Sequence, residues 1–340
     1  MADGTFAAGD DWLDGAAVEV DLEGLKAETA RLNALGDAEY ELERNRAAKR
    51  YGVRPGYFDA QRKKARPKKE ADDDATGEEA VEDLEPWEDR VDGASLAHEI
   101  RDRLRAHVVF ERASDADALA VWLLAAHAMD VWGLFPKVLI TAPEKACGKT
   151  TLLNVLGALA PRALAASNAT SAAIFRGIEL WSPTLLLDEI DTWAHENAEL
   201  RGVINSGHER DQAFVLRCVG DNHEPRRFST WCPMVLSGIG TPKDTIVSRS
   251  VVVGLRRRLP SETVQRRPVD LKARMLRVRR QSLRWIEDNR VRLSTSEIEP
   301  PECGDDRRRD NFTPLWRVAA ALGGEWPAKI EAAYLAGVED

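Results

Sequence analysis

Val138-Leu139-Ile140-Thr141-Ala142-Pro143-Glu144-Lys145-Ala146-Cys147-Gly148-Lys149-Thr150-Thr151-Leu152-Leu153 is the stretch on which the reading of this chain turns. A short apolar run ends at Thr141, a tight loop follows, and an apolar helical pattern begins at Lys149. Strand, loop, Gly-Lys-Thr and helix in that order make the layout of a phosphate-binding P-loop. The candidate cradle is Glu144, Lys145, Ala146, Cys147, Gly148, Lys149, Thr150 and Thr151. Gly148 has no Cβ and lets the backbone approach a phosphate. The loop N–H groups and the helix N-terminus aim partial positive charge at the anion. Lys149 would reach the β- and γ-phosphates of ATP, and the Thr150 hydroxyl would coordinate Mg²⁺. One position departs from the pattern. Pro143 stands where the first glycine is usual, and it has a fixed φ and no N–H to donate.

Downstream, Leu185-Leu186-Leu187-Asp188-Glu189-Ile190-Asp191 reads as an apolar strand ending in two carboxylates. That places both acids at the C-terminal edge of a sheet, where ligands bind in open α/β folds. Asp188 is the candidate Mg²⁺ ligand beside Thr150, and Glu189 the candidate that positions the attacking water. Phosphoryl transfer asks mainly for such positioning and charge stabilisation. Asp191 reads as a helix cap or a supporting acid. Trp231 to Gly238 reads as the next strand. Its last residue, Ser237, either touches the water or γ-phosphate or is a plain turn serine. Arg249, just before another apolar run, either reaches a neighbouring subunit's ATP or forms a salt bridge at a helix end.

The short apolar runs at 137–140, 184–187, 233–236 and 250–253 alternate with helical patterns, which implies a parallel sheet with helices on both faces. The expected fold is therefore α/β: a P-loop NTPase parallel sheet with flanking helices, a small helical N-terminal head and a C-terminal helical lid. The expected segments are a head at 1–65, an acidic flexible linker at 66–92, a helical lead-in at 93–132, the ATPase core at 133–258, and a basic helix with the lid at 259–340. The chain has 340 residues, 44% hydrophobic and 31% charged, which suits a charge-rich globular protein of more than one domain. No run of about 18 apolar residues predicts a membrane span. The first residues lack a basic segment followed by an apolar one, so no secretory leader is expected. Cys147, Cys218, Cys232 and Cys303 are scattered, which argues against a disulfide framework or zinc ribbon and for a cytoplasmic setting. His208 and His223 have no second ligand at metal spacing and read as structural.

The net charge of −9 hides segregation. Arg44 to Lys69 carries eleven Lys or Arg against Asp59 alone, whereas Glu70 to Asp92 carries twelve Asp or Glu against Arg90. Such blocks rarely fold alone. In the head, Leu22, Leu25, Leu32, Leu35 and Leu42 form a helical stripe, with Asp37 expected to cap a second helix. A third helix from Gly56 is expected to turn Tyr57 and Phe58 inward and Arg62, Lys63 and Lys64 outward. Helix, glycine turn and basic helix resemble a helix-turn-helix, so DNA contact is one reading and a solvated basic helix the other. From Leu255 to Trp285 eleven Lys or Arg face Glu262 and Asp270. A helix over 270–285 either tracks a phosphate backbone or pairs with the protein's own acids. Arg226-Arg227-Phe228 is either a single-strand contact or a hairpin turn. Trp122, Trp132 and Trp181 read as packing residues.

Taken in order, these strings resemble a known family. From about Phe135 to Lys329 the chain is similar to the ATPase domain found at the C-terminal end of phage and plasmid primase-helicases. The matching strings are 142–150, 183–192, Glu199 to His208, Gly220 to Trp231, Gly238-Ile239-Gly240, Ser248-Arg249-Ser250 and Asp310 to Leu315. The family's proline-containing loop accounts for Pro143. The resemblance implies an oligomeric ATPase related to AAA+ and superfamily 3 helicases. Its partners would be single-stranded or forked DNA and further copies of itself, a hexameric ring among the candidate assemblies. It also implies Arg307 as a nucleotide-contacting arginine of the lid. No acid-bearing strands like a polymerase centre are evident, so no priming activity is expected.

Overall fold

A computed structural model describes residues 21–65, 81–166, 169–193, 197–219, 223–240 and 244–337. The chain divides into two compact units, Met1–Glu78 and Glu79–Asp340. Among the described residues no helix is long and apolar enough to cross a membrane.

The first unit holds three helices, α1 (Leu22–Ala34), α2 (Asp37–Tyr51) and α3 (Pro55–Ala65). Asp21 caps α1 by accepting from Gly24 N, and Gly52 ends α2 with φ +63°, a conformation that favours glycine. Leu25, Leu32, Tyr40, Ala47, Ala48 and Phe58 form the core. Three expectations are corrected here. Leu22 and Leu42 are exposed rather than part of the buried stripe. Asp37 is already helical and Gly36 takes the cap position, without a side-chain bond. Arg62 turns inward: it is buried, lies 3.9 Å over the Tyr40 ring, and donates to Leu32 O and Leu35 O. Those carbonyls lie at the end of α1 and need a donor, which a buried guanidinium supplies. The side chains of Lys63 and Lys64 lie outside the described residues.

The second unit opens with an extended segment at 81–92, then α4 (Gly93–Arg105) and α5 (Ala113–Ala126). Next come β1 (Lys137–Thr141), α6 (Lys149–Leu159), β2 (Ala163–Ala166), α7 (Ser171–Trp181), β3 (Thr184–Leu187), α8 (Ile190–Trp193) and α9 (Ala198–Ser206). A hairpin of β4 (Phe214–Val219) and β5 (Glu224–Ser229) precedes β6 (Met234–Ser237), α10 (Asp244–Val247) and β7 (Ser250–Gly254). The chain closes with α11 (Leu271–Ser294), α12 (Asp306–Leu322) and α13 (Trp326–Leu335).

The sheet is parallel, in the order β2-β3-β6-β1-β7. Side chains alternate across it with period two. Val138, Ile140, Leu186, Val235, Val251 and Val253 face a core shared with α5, α6 and the C-terminal helices. Leu139, Leu185, Leu187, Met234 and Leu236 face a second core with α7 and α9. The four expected strands are present. The additions are β2, an alanine-rich stretch paired along β3, and the antiparallel β4–β5 hairpin, whose turn residues 220–222 lie outside the described set.

The flexible linker expected through Asp92 is corrected in its second half, while 66–80 lies outside the described residues. Segment 81–92 is held to the body. Trp87 N donates to Arg280 O, Arg280 donates to the carbonyls of Glu85 and Pro86, and Arg284 to those of Trp87 and Glu88. Asp83 pairs with Arg162, and Glu82 with Lys272 and the buried Arg279. Expressed as charge, the acidic segment meets a basic helix and is ordered by it.

Candidate functional site

The loop between β1 and α6 is shaped by two left-handed residues, Ala146 at φ +66° and Gly148 at φ +96°. At Gly148 a side chain would be strained, and a Cβ there would also meet Val108 Cγ1 at 3.1 Å. Ala146 holds the same region with a Cβ, at a cost of about 1–2 kcal/mol. Cys147 is buried beneath the loop, while Pro143, Glu144, Lys145 and Ala146 are exposed. Lys149 Nζ donates across the loop to Glu144 O at 3.4 Å, and the Glu144 carboxylate lies 3.5 Å from Arg257. Thr151 follows in the first turn of α6. The helix N-terminus is thus left facing the loop, an arrangement suited to an anion.

Thr150 and Asp188, 38 residues apart, meet at this edge: Thr150 Oγ1 donates to Asp188 Oδ2 at 3.0 Å. Asp188 also accepts from Glu189 N at 2.9 Å. Glu189 has φ +57° and is exposed, so the chain leaves β3 through a sharp left-handed turn. Asp191 takes the supporting role, accepting from Ile239 N at 3.0 Å. This ties the turn after β3 to the turn after β6, and they approach closely enough that a Cβ on Gly238 would meet Ile190 Cγ1 at 2.8 Å. Ser237 stands opposite Ile140 in the register, between the carboxylate strand and the loop strand. It is fully buried, and its Oγ has no hydrogen-bond partner among the described groups. An unpaired buried hydroxyl is costly. Thr241, Pro242 and Lys243, which follow, lie outside the described residues.

Arg249 and Arg307 are placed elsewhere. Ser250 pairs with Lys137, the first residue of β1, so Arg249 lies at the N-terminal edge of the sheet. The loop begins at the other end of β1, roughly 13 Å away at about 3.3 Å per residue. Arg249 Nη1 donates to Thr245 O at 2.9 Å, in place of the salt bridge held as its alternative. Arg307 is beside it, donating to Ser248 Oγ at 3.3 Å. Arg307, the nucleotide-contacting arginine of the lid that the resemblance implies, thus lies at the edge of the sheet away from this chain's loop. The path of the chain from α11 into α12 delivers it to the opposite edge.

The basic stretches resolve toward internal pairing. Arg274 binds Asp270, Arg277 and Arg103 share Glu99, Arg284 binds Asp288, and Arg256 binds Glu262. On the hairpin, Arg217 pairs with Glu199, Arg226 approaches Glu179, and Arg227 stacks 3.8 Å over Phe214. Trp122 and Trp132 are buried as packing residues. His208 bonds Asn311 through Nε2 at 2.8 Å. Lys137 is the residue that sequence reasoning passed over, a lone cation opening an apolar strand. It is 1% exposed, its Nζ lacks a partner among the described groups, and burial pushes its ammonium down to about 7.

Residues 254–340 match the model of a family described as "Protein of unknown function (DUF3631)". The matched part takes in the end of β7 and α11–α13, and the loop and acid pair lie outside it. No curated protein matches the chain.

Proposed function

We propose that this chain is a Mg²⁺-dependent P-loop ATPase that works on DNA as a homo-oligomeric helicase or translocase. The observation that carries the reading is the Thr150–Asp188 hydrogen bond. It joins the loop helix to the acid strand at the sheet edge where a phosphate bound in the loop would lie. The donor set fits a hard cation, since Mg²⁺ uses one or two protein oxygens beside phosphate and water. Thr150 and Asp188 would hold Mg²⁺, whose charge when bound offsets that developing on the phosphoryl oxygens. Loop amides and the start of α6 bind the β- and γ-phosphates, and Lys149 exchanges the Glu144 carbonyl for them. Glu189 orients the attacking water and accepts its proton. Ser237 Oγ gains its missing partner from the water or a phosphate oxygen.

The β4–β5 hairpin supports a DNA contact. Glu224, Pro225, Arg226 and Arg227 are exposed on it, with arginine–aromatic stacks at Phe214 and Phe228. The exposed guanidiniums are the groups that would follow a single-strand backbone with little sequence preference. A DNA-associated switch that hydrolyses ATP without unwinding is favoured by one observation: the cations of α11 are tied to the protein's own acids and carbonyls rather than offered as a track.

ATP turnover with and without single-stranded DNA, alongside strand displacement, tests both readings. Lys149→Ala is expected to lose nucleotide binding. Glu189→Gln is expected to bind ATP and turn over at least ~100-fold more slowly. Hydrolysis by Glu189→Gln at the parental rate would remove that residue's role. DNA-stimulated turnover without displacement would select the switch, and absence of turnover in the parent would refute the enzymatic reading.

A further inference from the structure

The two ends of the segment at 81–92 are held differently. From Glu85 to Glu88 the main-chain carbonyls accept from Arg280 and Arg284, and Trp87 N donates back to Arg280 O. Glu82 and Asp83 are held through their carboxylates instead. Glu82 meets Lys272 and Arg279, each at 3.1 Å, and Asp83 meets Arg162. No residue of 81–92 is buried, and the Asp83 side chain is 77% exposed. Under Glu82, Asp83 and Leu84 lies a cavity of about 400 Å³ in place of a packed core, with the half-buried Met129, Trp231 and Leu283 in its walls.

Exposed ion pairs contribute little each, so 82–84 is the stretch of the segment that another anion can replace. The surface beneath it is cationic. Arg162 stands just before β2, Lys272 and Arg279 stand on α11, and Arg210 also lines the cavity. Arg279 is 2% exposed, with Nη1 on Glu82 and Nε without a partner among the described groups. Withdrawing Glu82 alone would strand that guanidinium, which is costly. Exchanging the carboxylate for another anion keeps it paired throughout. Thr184, the first residue of β3, lines the same cavity, so the surface lies at the sheet edge away from the loop and acid pair.

We propose that Glu82 and Asp83 occupy the place of a phosphodiester backbone, and that a single nucleic-acid strand displaces 82–84 and puts its phosphates on Arg162, Lys272 and Arg279. The strand carries one negative charge per nucleotide along an extended chain, as the two successive carboxylates do here. The cavity beside these cations adds an aromatic wall for a base, and cations beside an aromatic face are what single strands use. Residues 85–92 stay on α11, so the displaced stretch ends at Leu84. The acidic stretch thereby sets a threshold that a strand must exceed before this surface opens. The proposal rests on the DNA part of the reading above and not on ATP chemistry.

Binding of a labelled oligothymidylate to the full chain at low salt, without ATP, tests it. The double variant Glu82→Gln with Asp83→Asn should bind about three- to tenfold more tightly than the parent, because the competing charge is gone. In that background Lys272→Gln should weaken binding and lower the slope of log affinity against log salt by about 1. In the parent the same change should do less, because Glu82 already occupies the lysine. Equal effects in both backgrounds overturn the competition.

Hydrogen exchange reads the displacement on the parent itself. The oligonucleotide should speed exchange at the amides of 82–84 and leave Trp87 unchanged or slower, and slowing at 82–84 overturns the proposal. If the parent binds the strand and the double variant binds it no more tightly, this proposal falls and the DNA reading stands. If neither protein binds the strand, both fall. Poly-glutamate binding the double variant as tightly as the oligonucleotide does would assign the surface to an acidic peptide and overturn the phosphodiester assignment.

Discussion

Replacing Lys137 by methionine should stabilise the second unit by an amount that depends on pH. The lysine is 1% exposed and without a hydrogen-bond partner for Nζ, and burial lowers its ammonium from 10.5 to about 7. A lysine whose folded pKa lies below its unfolded value destabilises the fold at low pH. That penalty fades as pH rises from the folded value toward the unfolded one. At 1.36 kcal/mol per unit, a half-ionised amine at pH 7 costs roughly 4 kcal/mol. Between pH 7 and 8.5 the wild-type chain should gain about 1.2 kcal/mol of stability per unit relative to Lys137→Met. His208, Cys232, Arg249, Arg307 and Glu209 surround this position or face its neighbours, and taking the difference between the two proteins cancels their titration. The window stops at 8.5 because burial holds the Cys232 thiol up at about 12 while an unfolded chain ionises its thiol nearer 9, so above that point both proteins lose stability together as pH rises. Methionine is close in length and unbranched, so overpacking is small. Urea unfolding at pH 7.0, 7.75 and 8.5 reads the effect. A Lys137→Met protein no more stable than wild type at pH 7, or a gap that does not narrow with pH, refutes the picture of a buried, uncompensated amine.

Removal of Met1–Glu78 should leave basal ATP turnover intact, since the loop, acids and C-terminal helices all lie in the other unit; lost DNA affinity would assign the head as a contact, and lost basal turnover would contradict the division. Arg279→Ala should cost about 2–4 kcal/mol, because the guanidinium is 2% exposed and bound to Glu82, whereas Arg274→Ala, from an exposed pair with Asp270, should cost less than about 1 kcal/mol. Chemical denaturation that ranks the two in the opposite order would show the segment at 81–92 to be loosely held. Burial raises the Asp115 carboxyl to about 6 against the pull of Arg112, so its contribution relative to Asp115→Asn should be largest below pH 4 and decline by up to ~3 kcal/mol as pH rises through 6. A difference between those two proteins that grows with pH over that range would reverse the sign of the argument.

Much of the candidate site is legible in the amino-acid order because it is built from local patterns. The apolar run before Thr141, the glycine at 148 and the helix after it need only strand periodicity and a residue free to turn left-handed, whereas the second left-handed residue of the loop, Ala146, carries no such signal. Leu185 to Glu189 declares a buried strand and its terminal acids in the same way, and the contact between Thr150 and Asp188 follows once both strands enter one parallel sheet. Strand β2 was not legible. Ala163–Ala166 has no strand pattern of its own and is extended because β3 offers it a ladder. The arginines divide for the same reason. A guanidinium's role depends on which acid, carbonyl or ring the topology brings within a few ångströms, and this is a long-range quantity. Arg62 turned inward to meet the end of α1, Arg280 and Arg284 took the carbonyls of 85–88, and Arg249 and Arg307 met at the edge away from the loop. Sequence alone determined four strands of the sheet, the glycine of the loop and the acid pair, because backbone periodicity is local. The tertiary structure decided which charges are satisfied and which still lack a partner, because Coulomb and hydrogen-bond partners are set by distance in space, not by distance along the chain.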